Sequence, residues 1–278
     1  MTHASLYTGI GGANLAASWL GWKNIFHCDN NDFIKQVIQY WFPNILYYDN
    51  VPTTDFSRWR GKIDVLTGGL QCQPQSSFGR ETISNEDSSN WTCLLQTIRQ
   101  IQPTWFVCED VDGITSMVMA GERTKMGRTD HLFQEDYIYR EEKIFLLERI
   151  WNDLESEGYF VQPFVIPDCA IGAPIKQNRI WIVAQGKNAV STKQDRYQLL
   201  WQERIRETIN RPQHRWRDVS AEPYTYSRHE GIPFNVDNLT ISFENWRTES
   251  LNSLNSSFVP QMALELFRVI NELNNVHL

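Results

Sequence analysis

Short apolar runs alternate with segments whose apolar residues recur at helical spacing, from the first residues to about position 186. Ser5-Leu6-Tyr7 predicts a strand running into the glycine turn Gly9-Ile10-Gly11-Gly12, and Ala13 to Leu20 predicts a helix closed by Gly21. Asn24 to Cys28 predicts a second strand ending at Asp29. Phe33 to Phe42 is apolar at helical spacing, and Pro43 stops it. Ile63 to Thr67 predicts a strand leading into Gly68-Gly69, Trp91 to Gln100 a helix, and Trp105 to Cys108 a buried strand. Glu141 to Glu157 predicts a helix ended by Gly158, followed by strands at Tyr159 to Ile166 and Ile180 to Ala184. Strands and helices alternating in this way predict an α/β fold with a mostly parallel sheet. Residues 115–140 carry little apolar periodicity and are expected to form an inserted loop. Beyond 187 the texture changes, and Met262 to Leu273 predicts a closing amphipathic helix.

Composition adds constraints of exclusion. The chain has 278 residues, 41% hydrophobic and 21% charged, which is ordinary for a globular protein and argues against long disorder. No apolar run approaches the ~18 residues of a membrane span. Residues 1–7 lack the basic-then-apolar pattern of a secretory signal. Five cysteines without regular spacing argue against a disulfide framework and for a reducing, cytoplasmic setting. The net charge of −7 does not announce a nucleic-acid binder. Residues 193–217 are the local exception, with seven basic residues against three acidic ones.

Two segments carry candidate chemistry. A glycine turn between strand and helix lets backbone approach a ligand and leaves helix N–H groups free to bond it. Asp29, at the end of the next strand, is placed to hold ribose hydroxyls, and Asp49 to take an adenine amino group. The spacing is not the full GxGxxG of dinucleotide-binding folds. In the second segment, Gly68 to Gly79, Cys72 lies just past a strand end in a glycine-flanked polar loop, a setting that favours a reactive thiol.

Together these segments resemble the cytosine-5 DNA methyltransferase family. Tyr7-Thr8-Gly9-Ile10-Gly11-Gly12 resembles its cofactor loop, and Gly68-Gly69-Leu70-Gln71-Cys72-Gln73-Pro74 its nucleophile loop. Glu109-Asp110-Val111 resembles its Glu-Asn-Val. Gly172-Ala173-Pro174 followed by Arg179-Ile180-Trp181-Ile182-Val183-Ala184 resembles its arginine block, and Leu251 to Gln261 its last motif. The resemblance implies an S-adenosylmethionine-dependent methyltransferase fold, Rossmann-like, with a small recognition lobe. It divides the chain into a catalytic and cofactor-binding domain over 1–186, a recognition region over 187–250 and a returning segment over 251–278. It implies S-adenosyl-L-methionine held by Tyr7, Gly9, Ile10, Gly11, Gly12, Asp29, Asn30, Asp49, Asn50 and Gly69, with Cys72, Glu109 and Arg179 catalytic.

Carbon 5 of cytosine is too poor a nucleophile to take a methyl group directly. In the chemistry the resemblance implies, Cys72 adds to carbon 6 of a flipped-out base, Glu109 bonds ring nitrogen 3 and the exocyclic amine, and Arg179 holds the base oxygen. A donating carboxyl needs a raised pKa, which a closed apolar site provides. The implied partner is duplex DNA bound by a monomer of bacterial or phage type, with no membrane attachment and a restriction endonuclease as companion. Arg204, Arg206, Arg211, Arg215 and Arg217, with Trp201 and Trp216, are the expected DNA contacts; Arg123, Lys125 and Arg128 offer a second DNA-facing loop or a surface insertion.

The chain departs from the family at Gln71, where proline is usual, at Asp110, where asparagine is usual, within 175–178, and at Asn255-Ser256. Gln71 donating to Asp110 is the expected compensation. Three alternatives stay open at this point: a same-scaffold transferase with another donor or product, a catalytically silent DNA-binding homologue, and an RNA methylase.

Overall fold

The computed structural model describes residues 1–70, 85–111, 118–119, 123–131, 134–141, 144–171, 178–186, 241–255 and 257–275. Seven strands make one sheet: β1 (Thr2–Leu6), β2 (Lys23–Cys28), β3 (Leu46–Tyr48), β4 (Val65–Gly69), β5 (Trp105–Val111), β10 (Tyr159–Pro167) and β11 (Asn178–Gly186). Their order is β10-β11-β5-β4-β1-β2-β3. The strands from β5 to β3 are parallel, and β11 runs antiparallel between β5 and β10. The α/β architecture with a mostly parallel sheet is the one expected.

Period-two alternation sends successive side chains to opposite faces, and each face has its own helices. Leu66, Phe106, Cys108 and Ile182 join a core with Trp91, Leu94 and Ile98 of α3 (Asn85–Ile101) and Ile150 and Leu154 of α4 (Leu146–Ser156). Val65, Trp105, Val107, Trp181 and Val183 face α1 (Gly12–Trp19) and the last helix, α6 (Pro260–Asn275). Trp22 stacks on Phe267 of α6 at 4.9 Å, and Trp181 meets Phe258 edge-on at 5.4 Å. The terminal segment thus packs back on the sheet.

On this second face a polar seam runs beneath α1. Buried His3 lies 2.6 Å from Asn24 through Nδ1 and 3.0 Å from Thr67 Oγ1 through Nε2. Burial pushes the pKa of both His3 and His27 down to about 4, so both rings are neutral at ordinary pH. Helix α2 (Asp32–Trp41) begins at Asn31, whose side chain accepts from the Phe33 and Ile34 N–H groups, and it ends just before Pro43. Its Phe33 and Val37 pack on Trp246 of α5 (Phe243–Asn255), a helix that crosses the junction expected at 250.

Two expectations need correction. Residues 115–140 are not a featureless loop: β6 (Val118–Met119), β7 (Arg123–His131) and β8 (Gln134–Glu141) lie there, with β7 and β8 paired antiparallel. The helix expected from Glu141 starts only at Leu146, because Glu141 ends β8 and β9 (Ile144–Phe145) pairs with β6. Backbone pairing between polar strands leaves no apolar period to read, and the acidic residues before 146 extended the apparent helix.

Candidate active site at the carboxyl edge of the sheet

The parallel strands all end on one edge, where ligands of open α/β sheets collect. At the end of β1 the chain turns through Tyr7 (φ 48°), Gly9 (φ 56°) and Gly11 (φ 88°) into α1. A bulky residue in the left-handed region costs about 1–3 kcal/mol and persists only where its surroundings hold it. Buried Asp29, just past β2, accepts from Gly9 N–H at 3.0 Å and Asn31 N–H at 3.1 Å. Burial pushes its carboxyl above the usual range, against the downward pull of those backbone donors. Tyr47 Oη donates to the Asp29 carbonyl at 2.6 Å. Asn30 is exposed, and Asp49 lies past the end of β3, exposed and ion-paired with Lys35.

The glycines are there for the chain's own close approach. A Cβ on Gly9 would lie 2.3 Å from Ser257 Oγ, and one on Gly12 only 2.0 Å from the Phe258 carbonyl oxygen. Ile10 N–H donates to Ser257 Oγ at 2.8 Å, and Ser257 Oγ donates to the Ser253 carbonyl at 2.7 Å. Ser257 therefore clasps the loop, a role no local sequence signal announces, since its partner is 247 residues away. Gly12→Ala is expected to destabilise the protein by about 1–3 kcal/mol through overpacking, because the obstacle is backbone. A urea midpoint equal to the wild type would contradict this close packing.

An apolar cavity of about 540 Å³ flanks the loop, lined among others by Ile10, Gly11, Trp41, Phe42, Leu254 and Phe258. Neither Asp29 nor Asn50 lines it. The polar capacity of the edge is elsewhere: Tyr7 Oη and Asn50 Oδ1 are buried with no hydrogen-bond partner among the described residues. A buried polar atom left unbonded costs about 1–3 kcal/mol, so these two atoms are unfilled bonding capacity. That donor and acceptor set fits a nucleoside with an amine and a ribose diol.

Glu109 and Arg179 lie side by side on neighbouring strands. Glu109 stands opposite Gly69 on one side and Trp181 on the other, while Arg179 stands opposite Val111. The two are thus diagonal neighbours on adjacent antiparallel strands, within reach of long side chains. Arg179 Nη1 donates to Glu109 Oε1, and both residues are 7% exposed. Leu70 N–H donates to the Glu109 carbonyl at 3.3 Å, so the segment leading to Cys72 departs beside Glu109. Gly69 is buried where β4 ends, its Cβ position 3.4 Å from the Tyr7 carbonyl. Cys72 and Gln71, the Asp110 side chain, residues 172–177 and the basic stretch 193–217 lie outside the described residues.

The sequence profile described as "C-5 cytosine-specific DNA methylase" matches residues 1–259. The chain is 30% identical to Type II methyltransferase M.PspPI of Psychrobacter sp. (strain TA137) over 112 residues, covering 39% of this chain and 27% of that protein. It is 27% identical to Type II methyltransferase M.HpaII of Haemophilus parainfluenzae over 190 residues, covering 67% of this chain and 46% of that protein. The chain thus spans less than half the length of the curated relatives it matches. Among solved structures, the S. pombe Dnmt2 methyltransferase is similar at a TM-score of 0.48 and 15% identity, over 67% of this chain and 50% of that one.

Proposed function

The chain belongs to the C-5 cytosine-specific DNA methylase family, and from that premise we propose that it is a DNA cytosine-5 methyltransferase. The observation that carries the reading is the buried Glu109–Arg179 pair, set beside the segment that runs from β4 to Cys72. A carboxyl group that takes up a proton and a guanidinium side by side match one edge of cytosine, which presents an amine donor, a ring-nitrogen acceptor and a carbonyl acceptor. In this reading the Cys72 sulfur forms a bond to carbon 6 and makes carbon 5 electron-rich. Glu109 accepts from the amine and, protonated, donates to ring nitrogen 3, while Arg179 donates to the carbonyl oxygen. The reacting atoms are out of reach within a duplex, so the base is flipped into the site.

S-adenosylmethionine, the methyl donor of the family, supplies an electrophilic methyl group when bound. Asp29 would hold the ribose hydroxyls, and Tyr7 Oη and Asn50 Oδ1, without a hydrogen-bond partner among the described residues, supply further bonding capacity. The Ser257 clasp fixes the loop through which Tyr7 and Gly9 are positioned. Duplex DNA is the proposed substrate, with the basic stretch 193–217 supplying phosphate contacts. The relatives' names, Type II methyltransferases, support a role in restriction–modification, and a restriction endonuclease is the companion proposed with it.

The test is nucleoside mass spectrometry after incubation with S-adenosylmethionine and either duplex DNA or transfer RNA. 5-Methylcytosine appearing in DNA alone is the expected result. Its appearance in RNA alone, another modified base, or no product in either would overturn the reading.

A further inference from the structure

Asp29, the carboxylate proposed to hold the ribose, lies past the last rung between β2 and the edge strand β3. That ladder is short, with the rungs Phe26–Leu46, His27–Tyr47 and Cys28–Tyr48. Beyond it, two bonds from β3 hold the Asp29 backbone. Asp29 N–H donates to the Tyr48 carbonyl at 3.2 Å, and Tyr47 Oη donates to the Asp29 carbonyl at 2.6 Å. The carboxylate itself accepts from Gly9 N–H through Oδ2 and from Asn31 N–H through Oδ1. What each oxygen can still offer a ribose hydroxyl depends on the angle at which the group is held, because hydrogen bonds weaken steeply off-line.

The Tyr47 ring is fixed in turn. It meets His27 edge-on with centroids 5.3 Å apart, and Lys35 of α2 places its ammonium 5.1 Å from the ring centroid. A cation that close to a ring face is attracted by the ring quadrupole. The same ammonium pairs with Asp49, so β3 and the residue after it are tied to α2. Burial pushes the Tyr47 phenol above its ordinary pKa, and the nearby Asp29 charge adds to the shift, so the hydroxyl keeps its proton and stays a donor. Packing against His27 and Lys35 needs only a ring. Phenylalanine would fill the same space, so what the hydroxyl adds is the bond to Asp29.

We infer that Tyr47 is a positioning residue for the methyl donor's ribose: its hydroxyl fixes the Asp29 peptide, and with it the angle at which the Asp29 carboxylate meets the ribose diol. The inference rests on the reading in which S-adenosylmethionine binds at Asp29. Tyr47 does not touch the ligand in this arrangement; it acts through Asp29.

The test is calorimetric binding of S-adenosylhomocysteine, the donor without its methyl group, and of its 2′,3′-dideoxy analogue to wild type, Tyr47→Phe and Tyr159→Phe. Tyr159 is the matched control: its buried hydroxyl donates to the Pro103 carbonyl at 2.9 Å, and its strand β10 lies at the opposite edge of the sheet. Tyr47→Phe is expected to weaken S-adenosylhomocysteine roughly 2- to 10-fold, the worth of one neutral hydrogen bond, and to leave the dideoxy analogue within about 2-fold. Tyr159→Phe loses the same kind of bond and is expected to bind both ligands like the wild type. General loosening of the fold would weaken both ligands alike. Equal weakening of both, undiminished affinity of Tyr47→Phe for S-adenosylhomocysteine, or a matching loss in Tyr159→Phe overturns the role. The two readings fail separately. Selective weakening without 5-methylcytosine formation by the wild type removes only the methyl-transfer reading. 5-Methylcytosine formation with Tyr47→Phe binding both ligands normally removes only the positioning role, and a wild type that binds neither ligand overturns both.

Discussion

Alanine in place of Cys72 is expected to abolish covalent capture of DNA containing 5-fluorocytosine and to lower methyl transfer on the order of 10³-fold or more, as loss of a covalent nucleophile does. The reasoning starts from the ring. Without sulfur added at carbon 6, carbon 5 has no developed negative charge with which to take a methyl group. After transfer, the wild-type enzyme must remove the proton from carbon 5 before the carbon–sulfur bond can break. Fluorine at that position cannot leave as a proton, so the adduct persists and a denaturing gel shows it. The variant forms no such bond, yet is expected to bind duplex DNA with wild-type affinity, since the proposed phosphate contacts belong to the basic stretch 193–217. Adduct formation by the alanine variant, or turnover near the wild-type rate, would remove Cys72 from its proposed role.

Replacing Arg179 by methionine carries the largest expected effect on stability. It withdraws the guanidinium from a carboxylate that is 7% exposed, and breaking a buried pair in this way costs about 3–5 kcal/mol. A loss of that size consumes much of the 5–15 kcal/mol by which domains are typically stable. Exchanging both partners, in Glu109→Leu/Arg179→Met, is expected to restore most of the lost stability, because an apolar pair leaves no stranded charge. Activity is expected to stay absent in both. Chemical denaturation of the single and double variants measures the difference. A single variant as stable as the wild type would show that the pair bears little of the fold's stability.

The parallel strands and the loop between β1 and α1 were readable because their signals are local. A strand, a glycine turn and a helix follow one another within twenty residues, and Asp29 closes the next strand in the same way. Glu109 and Arg179 were readable as residues through family resemblance, while their pairing depends on the antiparallel insertion of β11 beside β5. The β7–β8 pair was not readable, because cross-strand backbone bonds hold it and its polar residues carry no apolar period. The reason for Gly12 also escaped sequence reasoning. A glycine turn suggests space for a ligand, whereas the space at this position is taken by Phe258 from the far end of the chain.

That distant clasp orders events during synthesis. The bond from Ile10 to Ser257 spans 247 residues, which a ribosome adding roughly 5–20 residues per second takes about 10–50 s to cover. Throughout that interval the nascent polypeptide has its glycine turn but not the serine that fastens it. The glycine loop between β1 and α1 is thus finished among the last parts of the molecule, and a truncated translation product ending before Ser257 would lack the fastening that positions it.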